Sequence, residues 1–236
     1  MITVVDFHSH VLPGIDDGSA SVEESIAMLR LEAQQGIRHV IATPHFYARY
    51  DTPERFLSRR KEAEDRLRVE MTRHSGLPEL SVGAEVYYYP GISNSDVLQE
   101  LTIGQKRCIL IEMPQSPWSD AMYRELEGIR VKQGIIPVIA HVDRYIRPFR
   151  TFQIPERLAE LPVMVQANAG FFLSGRTRGM ASRMLRRGQI HLLGSDCHNL
   201  TDRAPDLGAA VQWIQRRLGE EWVQRIRDYE DLALRE

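Results

Sequence analysis

Three segments of this chain repeat one pattern: a glycine, a short apolar run, then a histidine or aspartate. Gly36 leads through HVIA to His45, Gly134 through IIPVIA to His141, and Gly188 through IHLLG to Asp196. The apolar runs at the core of these repeats fall at Val40–Ala42, Ile135–Ala140 and Ile190–Leu193. Four more stand at Ile2–Phe7, Leu80–Ala84, Cys108–Ile111 and Val163–Ala167. Seven such runs with helical patterns between them predict an α/β architecture. The runs are continuous in hydrophobicity rather than alternating, which favours parallel strands buried on both faces. Polar residues recurring at strand carboxyl ends are where α/β barrels hold their chemistry. The expected arrangement is therefore barrel-like, with a site on its C-terminal rim.

The helical segments carry their own boundaries. Ser21 is a fitting N-cap with Glu24 in capping-box position, so a helix is predicted over Val22–Gln35, ended by Gly36. Thr52-Pro53-Glu54 opens a charged helix reaching about His74. Its Arg/Glu alternation reads as a solvated face. Further helices are expected near Ser93–Leu101, Ser119–Lys132, Ser182–Arg187, Leu207–Arg217 and Glu220–Ala233.

With 236 residues, 43% of them hydrophobic, the chain can bury one substantial core, and a single domain over 1–236 is expected. A formal net charge of −2 argues against a general nucleic-acid binder. No run of about 18 uncharged apolar residues predicts a membrane span. The opening MITVVDFHSH shows no leader pattern. Two cysteines, Cys108 and Cys197, are too few for a disulfide scaffold, so free thiols in the cytoplasm are expected.

The candidate chemistry begins with Asp6-Phe7-His8-Ser9-His10. Alternate side chains on a strand share a face, so His8 and His10 can address one metal. Asp6 has the same parity and could orient an imidazole or simply cap the strand. The loop Gly14-Ile15-Asp16-Asp17-Gly18 suits metal ligation or an ordinary turn. His45 ends the second strand, Glu85 follows the third, and Glu112 closes an apolar run where a buried carboxylate needs a partner. His141 ends the fifth run, and Asp196 and His198 follow the seventh. Each could be an unremarkable structural or surface residue taken singly. Together they give nine candidate ligands: His8, His10, Asp17, His45, Glu85, Glu112, His141, Asp196 and His198. That number exceeds one ion's needs and suits two or three. Mixed N/O donors fit manganese, iron or zinc. Arg144 and Arg203 follow two of the ligand motifs, where guanidinium groups can clamp phosphoryl oxygens. The remaining His39, His74 and His191 read as structural or surface residues.

The ordered series DFHSH, IDDG, TPH, GAE, IEMP, AHVDRY and GSDCHN resembles the polymerase and histidinol phosphatase superfamily. It is most similar to the bacterial manganese-dependent tyrosine-phosphatase branch associated with capsule and exopolysaccharide production. The resemblance covers about Val4 through Arg203. It implies a distorted, TIM-like (β/α)7 barrel with a trinuclear metal centre, manganese first and iron or zinc as alternatives. One metal would be held by His8, His10, Glu85 and Asp196. Glu85 would bridge to a second held by Glu112 and His141, and Asp17, His45 and His198 would hold the third. Arg144 and Arg203 would contact phosphate. HVDRY departs from relatives that often have a proline and a glutamate between the histidine and arginine, but the arginine stays in register. The implied activity is hydrolysis of phosphotyrosine in proteins, typically on the tyrosine-rich tail of a membrane-associated bacterial tyrosine kinase.

Three other readings share parts of this pattern. A small-metabolite phosphatase, for instance acting on histidinol phosphate, would use the same metals with a tighter pocket. A nuclease or proofreading module is counted against by the short chain and negative charge. A non-catalytic metal-dependent phosphopeptide binder would take up metal without turnover. Cys197 and Arg203 also form C-x5-R, the spacing of cysteine-dependent tyrosine phosphatases. That route needs a lowered thiol pKa and a cradle of backbone N–H groups. Cys197 instead sits between Asp196 and His198, and HNLTD lacks a glycine-rich cradle.

Overall fold

The computed structural model describes residues 4–103, 108–146 and 153–234. The start of the first predicted strand, residues 2–3, lies outside them. The order begins β1 (Val5–Ser9), α1 (Val22–Gln34), β2 (His39–Ala42), β3 (His45–Phe46), α2 (Pro53–Met71), β4 (Glu79–Val82) and β5 (Glu85–Tyr87). It continues with α3 (Leu98–Leu101), β6 (Cys108–Glu112), α4 (Asp120–Gln133), β7 (Ile136–Ile139), α5 (Gln153–Ala159) and β8 (Met164–Asn168). It ends with α6 (Ala169–Leu173), α7 (Arg178–Arg186), β9 (Leu192–Gly194), α8 (Leu207–Leu218) and α9 (Glu220–Leu234).

The strands pair in parallel as β1-β2-β4 and β3-β5-β6-β7-β8-β9. Thr43-Pro44 merely interrupts β2 from β3, and Gly83-Ala84 interrupts β4 from β5. Counting each broken pair as one stave gives seven staves among the described residues. The last returns to the first. The Asp196 N–H donates to His8 O at 2.8 Å, the His10 N–H to Cys197 O at 2.9 Å, and Ser9 bridges Cys197 in parallel. The result is the expected distorted barrel.

Alternation along the staves explains what fills it. Phe7, Ile41, Cys108, Leu110, Val138, Met164 and Leu192 form one buried cluster inside. Ile109, Ile111, Ile139, Val165 and Leu193, on the other face, join the helix layer. Both faces are buried, as continuous apolar runs require. Continuing the inner rows toward the C-terminal end leads from Leu110 to Glu112 and from Met164 to Gln166. Chain polarity and parity alone thus aim polar side chains at one rim.

Local signals place the helices. Ser21 accepts the Glu24 N–H at 3.2 Å, and Thr52 caps α2 ahead of Pro53. The predicted Ser93–Leu101 helix is instead a 3-10 turn at Ile92–Asn94 followed by the single turn of α3, because Ser95 takes an extended conformation between them. The Ser182–Arg187 segment begins earlier, at Arg178. α5 and α6 complete the pattern of helices between strands.

Candidate metal centre

All nine candidate ligands converge on the C-terminal rim. The Nε2 atoms of His8 and His10 are 3.1 Å apart. Glu85 Oε2 lies 3.1 Å from the first and 3.4 Å from the second, and Asp196 Oδ1 lies 3.5 and 3.6 Å from them. Donors arranged tetrahedrally at about 2.1 Å around one ion stand roughly 3.4 Å apart. The four atoms therefore outline a cation-sized position.

The other carboxylate oxygen of Glu85 faces His141 Nε2 at 2.8 Å, with Glu112 Oε1 3.7 Å from that nitrogen. Glu85 thus reaches two neighbouring positions at once. On the opposite side, Asp17 Oδ1 lies 3.6 Å from both His45 Nε2 and His198 Nε2. The Glu85 Oε2 to His45 Nδ1 separation is 3.0 Å. Asp17 is the outlying member, with its side chain 66% exposed. Ligand-type atoms of His10, Asp17, His45 and His198 lie within one small volume, as do those of His8, His10 and Glu85, and of His45, Glu85 and Glu112.

Unmet valence points the same way. Glu85 Oε2, Glu112 Oε2, His45 Nδ1, His141 Nδ1 and His198 Nε2 are buried without a hydrogen-bond partner. Buried polar atoms are otherwise nearly always paired. Nitrogen and carboxylate donors in this mixture suit manganese, iron or zinc.

The electrostatics show a site hungry for positive charge. Burial disfavours ionised Glu85, yet His8, His10 and His141 hold its carboxyl well below the usual range. Asp196 is likewise brought down to about 2, with His8 and Arg144 outweighing burial. For His10, burial is overcome by Asp16 and Glu85, which push it up to about 10. Glu112 rises to about 7 through burial and the nearby Glu85 charge. His198 falls to about 4 through burial and His10.

Backbone geometry serves the same cluster. His141 (φ 32°) and Asp196 (φ 55°) are the non-glycine residues with left-handed backbone among those described. Such conformations carry a cost and concentrate at functional sites. Asp196 is therefore not extended, and its Oδ1 lies 3.7 Å from His198 Nδ1. Gly194 lets β9 approach closely: a Cβ there would stand 2.6 Å from His8 Cβ.

Both predicted arginines reach this rim, and both hold Asp196. Arg144 follows His141 in a 3-10 turn and pairs with Asp196 Oδ2. Arg203 Nη2 donates to Asp196 Oδ1 at 2.8 Å. The loop returns because the Asn199 side chain accepts the Thr201 and Arg203 N–H groups, and His198 N–H donates to Arg203 O.

Asp6 does not orient an imidazole. Register with β2 slips between Asp6 and Ser9, which breaks the parity linking Asp6 to His8. Its carboxylate instead accepts the Ser195 N–H at 2.9 Å and the Ser195 hydroxyl at 2.5 Å, tying β1 to the strand beyond it. The orienting acceptor is Asp16, 2.8 Å from His10 Nδ1 and accepting the His45 N–H at 3.0 Å. Gln166 plays a related part, with Oε1 accepting the His141 N–H at 2.6 Å and lying 3.3 Å from His8 Nδ1. Asn168 donates to Asp196 at 3.0 Å. A glutamine inside the apolar run VMVQAN was the available signal, since a buried amide requires partners.

Cys197 is fully buried, and burial together with Asp6 and Glu32 pushes its thiol well above the usual range. That environment opposes a thiolate nucleophile. His39 contacts Ser81, His74 contacts Arg30 and Glu70, and His191 accepts the Val165 N–H, all away from the cluster.

Comparison with known proteins agrees with this geometry. Tyrosine-protein phosphatase CpsB of Streptococcus pneumoniae is 30% identical over 233 residues, covering 92% of this chain and 91% of the relative. Tyrosine-protein phosphatase YwqE of Bacillus subtilis is 28% identical, covering 98% and 92%. A solved chain from work on YwqE and CpsB, described there as unique metal-dependent tyrosine phosphatases, superposes with a TM-score of 0.86 at 26% identity. It spans 98% of this chain and 94% of that one. The family model for capsular polysaccharide synthesis, CpsB/CapC, matches residues 4–231, and the chain belongs to that family.

Proposed function

We propose that this chain is a metal-dependent protein-tyrosine phosphatase, a phosphoric-monoester hydrolase of one domain over residues 1–236. The observation that carries this reading is the meeting of nine N/O donors with two guanidinium groups on one barrel rim. His8, His10, Glu85 and Asp196 would hold one divalent ion, and Glu85 would share a second with Glu112 and His141. Asp17, His45 and His198 would hold a third, with manganese as the favoured metal. Bound divalent ions supply a water of lowered pKa and offset charge on phosphoryl oxygens.

The chain's own groups do the rest. Asp16 and Gln166 fix the His10 and His8 rings. Arg144 and Arg203 border the Asp196 position, where a phosphoryl group can draw their guanidinium N–H groups into bidentate contact. A tyrosyl leaving group departs as a phenolate of pKa about 10, so little protonation is required of the protein. Among the described residues no helix is long and apolar enough to cross a membrane. We read the substrate as a tyrosine-phosphorylated protein, the tail of a bacterial tyrosine kinase serving capsule or exopolysaccharide production, met in the cytoplasm. The formal net charge of −2 counts against a general nucleic-acid partner.

The test is phosphate release from a phosphotyrosine peptide, a phosphoserine peptide and histidinol phosphate with manganese, zinc or iron added. Preference for the phosphotyrosine peptide supports the reading. Preference for histidinol phosphate would move the chain to small metabolites, and metal-dependent peptide binding without turnover would make it a binding protein.

A further inference from the structure

The parity that aims His45 and Glu85 at the metal centre continues one step further out. β3 and β5 pair with His45 opposite Glu85 and Phe46 opposite Val86. Tyr47 and Tyr87 are the next residues on the site-facing side. The Tyr47 ring stacks on His45 with centroids 5.1 Å apart and planes inclined by 29°. The Tyr87 ring lies 5.6 Å from that of Tyr47.

Tyr47 stands between two openings. One is bounded by Asp16, Asp17, His45, Tyr47 and Tyr50. The other, a cavity of about 400 Å³, is bounded by Tyr47, Tyr50, Tyr87, Tyr88, Tyr89 and Pro90. Tyr47 and Tyr50 belong to both, so the cavity adjoins the opening at the metal rim. Tyr88 and Tyr89 pack back on the core, which makes them its floor. Tyr50 is 77% exposed, an open aromatic face beside the cavity. Arg49 lies over that ring at 5.6 Å and makes no ion pair with a described residue. Tyrosine presents large, rigid contact area at small entropic cost, which suits a recognition surface. The ring contacts run from His45 through Tyr47 to Tyr87, outward from the metal rim.

We propose that Tyr47, Tyr50 and Tyr87 form a specificity cleft that receives an aromatic side chain of the substrate peptide flanking the phosphotyrosine. This rests on the phosphatase reading, and it narrows the substrate to phosphopeptides carrying a second aromatic residue near the phosphotyrosine. Recognition is by ring stacking, so it acts on KM and leaves kcat to the metal rim.

The experiment scans one phenylalanine through an alanine-based phosphotyrosine peptide, roughly two to four residues on either side. With manganese-loaded wild type, one placement should lower KM roughly two- to tenfold against the all-alanine peptide, the range expected of an aromatic pair. Tyr50→Ala and, separately, Tyr87→Ala should bring that ratio close to one. Tyr50 is exposed, so its variant keeps the fold. A wild type indifferent to every placement, or a preference that survives both variants, would overturn the cleft. If no peptide is hydrolysed, the phosphatase reading fails, and fluorescence anisotropy of the same labelled peptides on metal-loaded protein still decides. A phenylalanine preference in affinity, lost in Tyr50→Ala, supports the cleft, and equal affinities overturn it.

Discussion

The Nε2 atoms of His8 and His10 face each other at 3.1 Å with Glu85 Oε2 beside both. Two imidazoles held this close, one flanked by Asp16 and the other by Gln166, are poised to share a cation. Glu85 is the common neighbour of His8, His10, His45 and His141. Glu85→Ala should therefore strip more than one metal position together. Loss of an outer partner of a ligand costs roughly 10–100-fold, and loss of a shared ligand should exceed that. Elemental analysis and turnover on the same preparation check it. Wild-type metal content in the variant would show that Glu85 bridges nothing.

Arg144 and Arg203 both rest on Asp196 yet stand outside the donor set. Replacing either with alanine should leave most metal bound while lowering kcat/KM, by about 2–4 kcal/mol if each acts as a preorganised transition-state donor. Kinetics paired with metal analysis separates this from simple site collapse. Unchanged catalytic efficiency would remove that arginine from the phosphate-binding role.

The buried thiol of Cys197 predicts a mild phenotype. It packs within the core, and its backbone carbonyl holds the His10 N–H. Cys197→Ser should keep most turnover at matched metal content, whereas Asp196→Ala should be severe. Near-total loss in Cys197→Ser, with folding and metals intact, would restore the cysteine route.

The staves were legible because apolar runs buried on both faces leave a strong signal, and polarity at their ends marked the rim. His45 and Glu85 show what was not. The sequence pattern puts His45 at the end of a strand and Glu85 just after one, but each opens a very short strand beyond Pro44 or Ala84. Pro44 lacks an N–H and breaks the ladder, while its carbonyl still accepts the Glu85 N–H. Asp16 and Gln166 were hidden for another reason. Asp16 meets His10 by the folding back of the loop between them and His45 across the sheet, and Gln166 meets His8 and His141 on other staves, contacts that a pattern of residue types does not show. Asp6 misled through parity, because the slip after it cannot be read from a pattern of types. The Phe-rich α6, with a glycine in five residues, has no helical period to detect.

Glu230 gives a pH signature away from the metal rim. Burial pushes its carboxyl up to about 8, although it accepts the Val5 N–H at 3.0 Å. An unfolded glutamate ionises near 4.3, so between about 4.3 and 8 the folded state holds the extra proton. Stability from this group therefore falls as pH rises through that window. Glu230→Gln keeps a carbonyl acceptor for Val5 and removes the ionisation. Its stability relative to wild type should climb across the window and level off above about pH 8. Denaturant midpoints at several pH values check this, and a constant difference between the two proteins would rule it out.

The account stands most directly on metal stoichiometry against turnover. Chelated protein, titrated with manganese while phosphate release from a phosphotyrosine peptide is followed, should be silent without metal. Activity should continue to rise beyond one equivalent, because Glu85 joins neighbouring positions. Turnover that persists after chelation, or that is complete at one equivalent, would contradict a multinuclear metal centre as the source of catalysis.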